Sequence, residues 1–197
     1  MSAADIPQVA DIERESFPSM WPQTAYRREL QNKLARYLVI VEQRPDAEDL
    51  PGANARVWGA LRKIVGTGAP APPSSDYLLG FIGVWLMAGE AHIVTFAVRE
   101  AYRRIGIGER LLIACIEMAI DAEQEAVTLE VRRSNTNAQV LYEKYDFSRL
   151  GLRKRYYTDN NEDAVIMTTP DVLTPAYRER LLRLRDEHRM RHPDLWT

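Results

Sequence analysis

The hydrophobic positions of this chain recur with two periods, and each period predicts a different kind of element. Over residues 6–17 the apolar side chains fall at helical spacing, and a second helical stripe covers residues 26–34. Pro18 and Pro22 separate the two stripes, since proline interrupts a helix. The chain is therefore expected to open with two short helices.

Segments rich in β-branched and aromatic residues predict strands. They cover residues 37–42, 77–86, 92–98, 127–132 and 163–168. The first two are expected to pair as a hairpin. In the fourth the alternation is strict, so Val127, Leu129 and Val131 should face one way. Thr128, Glu130 and Arg132 should then face the other way.

Helices are predicted between and after these strands. A buried stripe marks residues 108–124, and a short helix capped by Ser134 or Asn135 should run through residue 145. Beyond Pro170 a long charged helix carries one apolar stripe. Its members are Tyr177, Leu181, Leu184 and His188.

The segment between the first two strands is far longer than a hairpin loop. Residues 44–76 are bracketed by prolines and by the run GTGAPAPPSS, which is typical of an insertion. Apolar residues within 57–65 share one helical face, so the insertion is expected to contain a helix. The pattern leaves open whether that helix docks on the core or on a partner.

Composition narrows the class of protein. The 197 residues carry a net charge of -2 with 46% hydrophobic and 27% charged residues, which excludes a disordered chain and argues against a nucleic-acid partner. One cysteine and three histidines without ligand spacing predict no metal site. The most apolar run, residues 78–87, is about half the length that a bilayer requires. With no signal peptide visible, a cytoplasmic protein without a membrane partner is expected.

A turn with two glycines precedes the helix predicted at 108–124. Gly106 and Gly108 allow close approach, so successive N–H groups can turn toward a phosphate at the start of a helix. Leu111 stands where a dinucleotide-binding fingerprint has its third glycine, and no Gly-Lys-Ser/Thr of a P-loop follows. A phosphate site and a turn without a ligand both remain open.

Several blocks of the sequence resemble one known family. The order strand, R-R-x-G-x-G, helix, strand, short helix resembles the acetyl-CoA-binding core of the GNAT superfamily of N-acetyltransferases. The blocks LEVRRSNTNAQVLYEKYDF, RKRYYTDNNEDAVIM and SFPSMWPQTAYRREL resemble the bacterial ribosomal-protein alanine N-acetyltransferases. The similarity covers about residues 5–42 and 77–170. It implies one mixed α/β (α+β) domain over 1–197, with a mostly antiparallel sheet flanked by helices, an insertion at 44–76 and a helical extension at 171–197.

The resemblance also implies an activity. Acetyl-CoA would be the co-substrate, and the acceptor would be the α-amino group of a protein N-terminus, with a ribosomal protein as one candidate, in a ternary complex. A small-molecule amine or an internal lysine is the alternative acceptor. A non-catalytic acyl-CoA-binding protein is a further alternative. The oligomeric state is left open.

Two residues carry the catalytic roles that the resemblance implies. Glu130 would be the base, although alternation alone also fits a solvated glutamate at a strand edge. Burial is expected to raise its pKa. Tyr142 would donate a proton to the leaving thiolate, although it could equally be a tyrosine of the core.

The remaining site residues are also implied by the resemblance. A cap at Asn135 is compatible with cofactor contact, and of the adjacent Tyr156 and Tyr157 at most one is expected to face the substrate. Asp146, where the family usually has glycine, should adopt a left-handed backbone. Substrate contacts are assigned to Phe17, Tyr156 and Tyr157. Cofactor contacts are assigned to Phe96, Ala97, Val98, Arg103, Arg104, Ile105, Gly106, Ile107, Gly108 and Asn135.

Overall fold

A computed structural model describes residues 1–17, 23–43 and 76–196. Nearly all of the predicted insertion, including its helix, lies outside the described residues. The helices are α1 (Ile6–Ser16), α2 (Gln23–Glu29), α3 (Ile107–Asp121), α4 (Thr136–Lys144) and α5 (Pro175–Arg191). The strands are β1 (Ala35–Gln43), β2 (Asp76–Met87), β3 (Glu90–Val98), β4 (Ala126–Arg132), β5 (Ser148–Tyr157) and β6 (Glu162–Thr168).

The strands form one sheet in the order β1-β2-β3-β4-β6-β5. Only the β3–β4 pair is parallel among the paired strands of the described ranges, and β1 and β2 pair as the predicted hairpin. The predicted mixed, mostly antiparallel sheet is confirmed. The edge strand β5 was not predicted, because almost all of its side chains are exposed and its sequence therefore lacks an alternating apolar pattern.

Helices cover both faces of the sheet. One core cluster joins α3, α4 and α5 to the sheet through residues such as Leu112, Leu129 and Leu181. A second cluster joins α1 and α2 to the opposite face through residues such as Ile12 and Phe81. Each side chain of this size contributes about 1.5–3 kcal/mol when fully buried.

Two single residues show the effects of burial and of backbone conformation. Cys115 is fully buried in α3, where burial raises the pKa of its thiol to about 12. Asp146, which follows α4, has a φ of 60°, the left-handed conformation expected in the place of a glycine. Within the described ranges, no helix has both the length and the apolarity that a membrane span requires.

The two central strands separate along their length. The parallel ladder between β3 and β4 runs from the pair Glu90–Ala126 to the pair Ile93–Leu129 and ends there. A register shift in the β2–β3 pairing between Gly83 and Val84 coincides with the end of this ladder. Beyond it, β4 pairs with β6 while β3 pairs with β2. The sheet therefore opens between residues 94–98 and 130–132.

Candidate active site

The glycine turn lies next to this opening, at the start of α3. Gly106 is the N-cap residue with a φ of 93°, and no side chain of the described residues caps the helix. The first helical hydrogen bond across the turn runs from the Arg110 N–H to the Gly106 carbonyl over 2.9 Å. The N–H groups that precede Arg110 have no partner four residues back within the helix. These amides and the positive end of the helix dipole fit an anion such as a phosphate.

The arginines beside the turn differ in their surroundings. The guanidinium of Arg103 donates to the Val98 carbonyl and to Ser16 Oγ, each over 3.0 Å, and so ties the end of β3 to α1. Arg104 is exposed, with a φ of 69°. Ile105 is half exposed at 49%. Contact of all three with a cofactor stays a prediction.

The C-terminal end of β3 borders the opening on one side. Ala97 is buried in the cluster under α1 and α2, whereas Phe96 and Val98 pack against the cluster under α3 and α4. Their side chains thus belong to the core. The backbone beyond Ile93 no longer pairs with β4, which leaves that edge of β3 available to a ligand.

Glu130 lies on β4 at the opposite side of the opening. Its side chain is 6% exposed, and its carboxylate lies between His92 and the cation Arg153. Oε2 is 3.1 Å from Nε2 of His92, and Oε1 is 3.1 Å from an Nη2 of Arg153. The hydroxyl of Tyr157 also donates to the Glu130 backbone carbonyl over 3.3 Å. The solvated edge position is therefore excluded for this side chain.

The expectation that burial raises the pKa of Glu130 is wrong. The hydrogen bond from His92 is the largest influence and lowers this pKa, and the charges of His92 and Arg153 act in the same direction. Burial raises it but is outweighed. The carboxylate is consequently ionised throughout the neutral pH range, ready to accept a proton and unable to donate one.

His92 is a site residue that the sequence pattern does not reveal. Its Nδ1 lies 2.9 Å from the hydroxyl of Thr128, which pairs with His92 in the parallel ladder. The ionised Glu130 can only accept, so a neutral His92 ring carries its proton on Nε2 and donates it to the carboxylate. Nδ1 then accepts a hydrogen bond from the Thr128 hydroxyl. Two residues of β4, Thr128 and Glu130, thus fix the orientation of the imidazole.

Tyr142 lies on the other face of the sheet from Glu130. Its ring packs between Phe96 and Phe147, with centroid distances of 6.4 and 5.6 Å, in the same cluster as Leu129. Because side chains alternate along a strand, Glu130 projects from the face opposite to Leu129. Burial raises the pKa of Tyr142, so its phenol stays protonated at neutral pH. Tyr142 is a core tyrosine, and a role as proton donor stays a prediction.

Asn135 caps α4, as one of the two predicted cap residues. Its Oδ1 accepts from the Ala138 N–H over 3.2 Å, whereas Ser134 donates its own N–H to Glu162. The side-chain amide of Gln139 donates to the carbonyl of Arg132 over 3.0 Å. The cap thus fixes the first turn of α4 beside the end of β4, and cofactor contact by Asn135 stays a prediction.

The substrate-binding candidates occupy two regions. Phe17 ends α1 and packs against the core cluster under α1 and α2. Tyr156 and Tyr157 do not point to opposite faces as expected, since their rings meet edge-on with centroids 5.2 Å apart. The β5–β6 register shifts between Arg153 and Tyr157, and Arg155 in this interval has a φ of 53°. This irregularity breaks the alternation of side chains along β5. Arg132 lies 3.9 Å above the Tyr157 ring and holds it toward Glu130.

Comparison with known proteins now identifies the family. The sequence model of the acetyltransferase (GNAT) family matches residues 6–147, which include the glycine turn, Glu130 and Tyr142. The chain belongs to the GNAT acetyltransferase family. It is accordingly an acetyltransferase, and the predictions of fold and enzyme class are confirmed.

The similarity to individual relatives covers more of the chain than the family model does. A Bacillus subtilis protein, provisionally named a [ribosomal protein bS18]-alanine N-acetyltransferase, is 33% identical over 85% of this chain and 90% of its own length. The N-alpha-acetyltransferase RimI of Mycobacterium tuberculosis is 30% identical over 85% of this chain and 87% of its own. The crystal structure of the ribosomal-protein-S18-alanine N-acetyltransferase from Escherichia coli superposes with a TM-score of 0.62 at 25% identity, covering 87% of this chain and 90% of that one.

Proposed function

We propose that this protein transfers the acetyl group of acetyl-CoA to the α-amino group of a protein N-terminus, directly and within a ternary complex. A ribosomal protein is the candidate acceptor, since relatives that cover most of the chain are named for that reaction. The observation that carries the proposal is the Glu130 carboxylate, held by His92 and Arg153 at the opening of the sheet.

The residues around the opening fit acetyl-CoA in two respects. The uncapped amides after Gly106 suit its pyrophosphate, and the unpaired edge of β3 beyond Ile93 suits its amide-bearing arm. Acetyl-CoA supplies an acyl thioester, the electrophile of the reaction. Because Glu130 and Tyr142 lie on opposite faces of the sheet, a thioester between β3 and β4 would have one of them on each side.

Glu130 is proposed to take the proton that the amine loses as the new C–N bond forms. An α-amine has an ordinary pKa of about 7.7–8.0, so a useful fraction is neutral at pH 7, whereas lysine at about 10.4 is almost fully charged. A base with a lowered pKa does not deprotonate a free ammonium ion efficiently. It can accept the proton of a neutral amine once the nitrogen has attacked the acyl carbon, because the nitrogen then carries a positive charge and its proton is far more acidic than in the neutral amine. His92, bonded to the carboxylate, keeps it oriented and ionised.

Tyr142 is proposed to act on the departing sulfur as the C–S bond breaks. A free thiol has a pKa of about 8.5, below that of the buried phenol, so complete proton transfer from Tyr142 is uphill. Its first contribution is therefore a hydrogen bond that stabilises the developing thiolate. This role requires the cofactor sulfur to approach the Tyr142 hydroxyl.

The test is an acceptor screen read by mass spectrometry. Peptides that begin with alanine and contain no lysine are compared with Nα-blocked peptides that contain one lysine and with free small amines. We expect acetylation of the first group alone. Modification restricted to lysine or to small amines would contradict the α-amine acceptor. Absence of CoA release with every acceptor, alongside CoA binding, would favour a non-catalytic binding protein.

A further inference from the structure

The C-terminal segment, residues 188–196, packs against the glycine turn through hydrogen bonds. This segment lies beyond residues 6–147, the part of the chain that the family model matches. His188 is fully buried near the end of α5, and its Nε2 lies 3.0 Å from the carbonyl oxygen of Gly106. The indole Nε1 of Trp196 lies 3.0 Å from the other ring nitrogen, Nδ1. Two short contacts thus connect the last turn of the chain to the N-cap of α3.

The chemistry of these partners admits one arrangement of protons. An indole N–H can only donate, so His188 accepts at Nδ1. A carbonyl oxygen can only accept, so His188 donates from Nε2 to Gly106. Both contacts require the same neutral tautomer, with its proton on Nε2. Burial lowers the pKa of His188 below its ordinary 6.5, which favours this neutral form.

The Gly106 carbonyl belongs to the peptide group that supplies the N–H of Ile107. Because a trans peptide is planar, fixing the direction of the carbonyl also fixes the direction of that N–H, which points the opposite way. The carbonyl has two donors, the N–H of Arg110 at 2.9 Å and the Nε2 of His188 at 3.0 Å. His188 therefore fixes the direction of the Ile107 N–H, which is the first amide of α3 and points toward the proposed phosphate site.

Further contacts hold the segment against the turn. The Arg110 guanidinium lies 3.9 Å above the Trp196 ring, and Arg191 lies 3.4 Å from the carboxylate of Glu109. The His192 ring fills the space beside Gly106, where an added Cβ would come within 2.8 Å of it. A C-terminal segment that merely covered the apolar face of α3 would not need these polar contacts to the N-cap.

We propose that His188, oriented by Trp196, is a positioning residue that holds the Gly106–Ile107 peptide in the geometry that binds the pyrophosphate of acetyl-CoA. The inference rests on the proposed function, because it assumes that this turn binds CoA. The C-terminal extension would then contribute to the affinity for the cofactor.

The test measures CoA dissociation constants by titration calorimetry on the full chain. Trp196→Phe keeps an aromatic ring over which Arg110 can stack but removes the donor, and His188→Leu removes the bond to Gly106. Loss of one such hydrogen bond is expected to weaken CoA binding by about two- to tenfold. His188→Gln, whose amide can donate to the same carbonyl, should recover much of the affinity. Met190→Ala, at a side chain that is 77% exposed on the same helix, is the matched control.

A second readout separates positioning from general destabilisation. The turnover number at saturating acetyl-CoA and the KM for the acceptor peptide should stay at the wild-type value while the KM for acetyl-CoA rises. Wild-type CoA affinity in both Trp196→Phe and His188→Leu would overturn the inference, and so would equal weakening in His188→Gln and His188→Leu. If the wild-type chain itself fails to bind CoA, the proposed function fails and this inference fails with it.

Discussion

Nε2 of His92 lies 3.1 Å from Oε2 of Glu130, across the point where two parallel strands begin to separate. This hydrogen bond is the largest influence on the pKa of Glu130 and lowers it in spite of burial. The basicity of the candidate base is therefore set by a neighbour on another strand. The neighbour can be removed without changing the carboxylate itself.

Replacing His92 by alanine should change the pH dependence of the reaction. As the pH falls, kcat/KM decreases first because the acceptor amine gains a proton, and it decreases again where Glu130 becomes protonated. This second decrease is the acid limb that reports Glu130. Without His92, the contact that most lowers the pKa of Glu130 is absent while burial remains, so this acid limb should move to higher pH. A pH–rate profile of His92→Ala measures this shift.

Arg149→Ala is the matched control for this profile. Arg149 lies on β5 with Arg153 but pairs with Glu143 on α4, so its removal should leave the acid limb in place. An acid limb that stays fixed in His92→Ala, or that moves to lower pH, would show that His92 does not govern the base.

The variant Tyr142→Phe tests the proton donor on the other face of the sheet. The ring between Phe96 and Phe147 is kept, so the fold should persist. We expect kcat to fall by about 10- to 100-fold, since a hydrogen bond to a charged group contributes about 1.5–3 kcal/mol.

Tyr177→Phe provides the comparison for Tyr142→Phe. The Tyr177 hydroxyl donates to the Tyr145 carbonyl over 2.9 Å in the same core cluster, without a proposed part in the reaction. Its removal should cost about 1 kcal/mol of the free energy of unfolding and leave kcat unchanged. Equal kcat in wild type and Tyr142→Phe would assign protonation of the thiolate to water.

Alanine substitutions at two glycines with positive φ distinguish the effect of backbone strain from that of a steric clash at the turn. Gly106 and Gly89 have φ values of 93° and 83°, so alanine at either position costs about 1–2 kcal/mol of strain. An added Cβ at Gly106 also meets His192 at 2.8 Å, whereas at Gly89 it meets no atom of the described residues within 4 Å apart from its own chain neighbours. Denaturant unfolding should therefore show a larger loss for Gly106→Ala. Equal decreases in the free energy of unfolding of the two variants would mean that His192 moves away from the added Cβ without destabilising the protein.

Elements with a strong periodic pattern could be predicted from the sequence. The alternation in β4 placed Leu129 in the core and Glu130 on the opposite face, and the glycines marked the start of α3. The edge strand β5 could not be predicted in this way, because Leu150 and Leu152 are 72% and 53% exposed and no buried face imposes an alternation.

The missed part of the site depends on contacts between distant segments. His92 meets Glu130 only because the parallel register pairs His92 with Thr128, and a histidine in an apolar strand gives no sign of that register. The direction of the Glu130 pKa was mispredicted for the same reason, since burial could be inferred from the pattern but the partner could not. The contact of His188 with Gly106 likewise joins segments 82 positions apart.

Turnover of the Glu130→Gln variant tests the central claim most directly. Glutamine keeps the shape of the side chain but cannot accept the amine proton, and Glu143→Gln on the exposed face of α4 serves as control. With an alanine-initiated peptide and saturating acetyl-CoA, we predict that kcat falls by about 100- to 10,000-fold while the CoA dissociation constant stays at the wild-type value. A Glu130→Gln enzyme that acetylates the peptide at the wild-type rate would contradict the account.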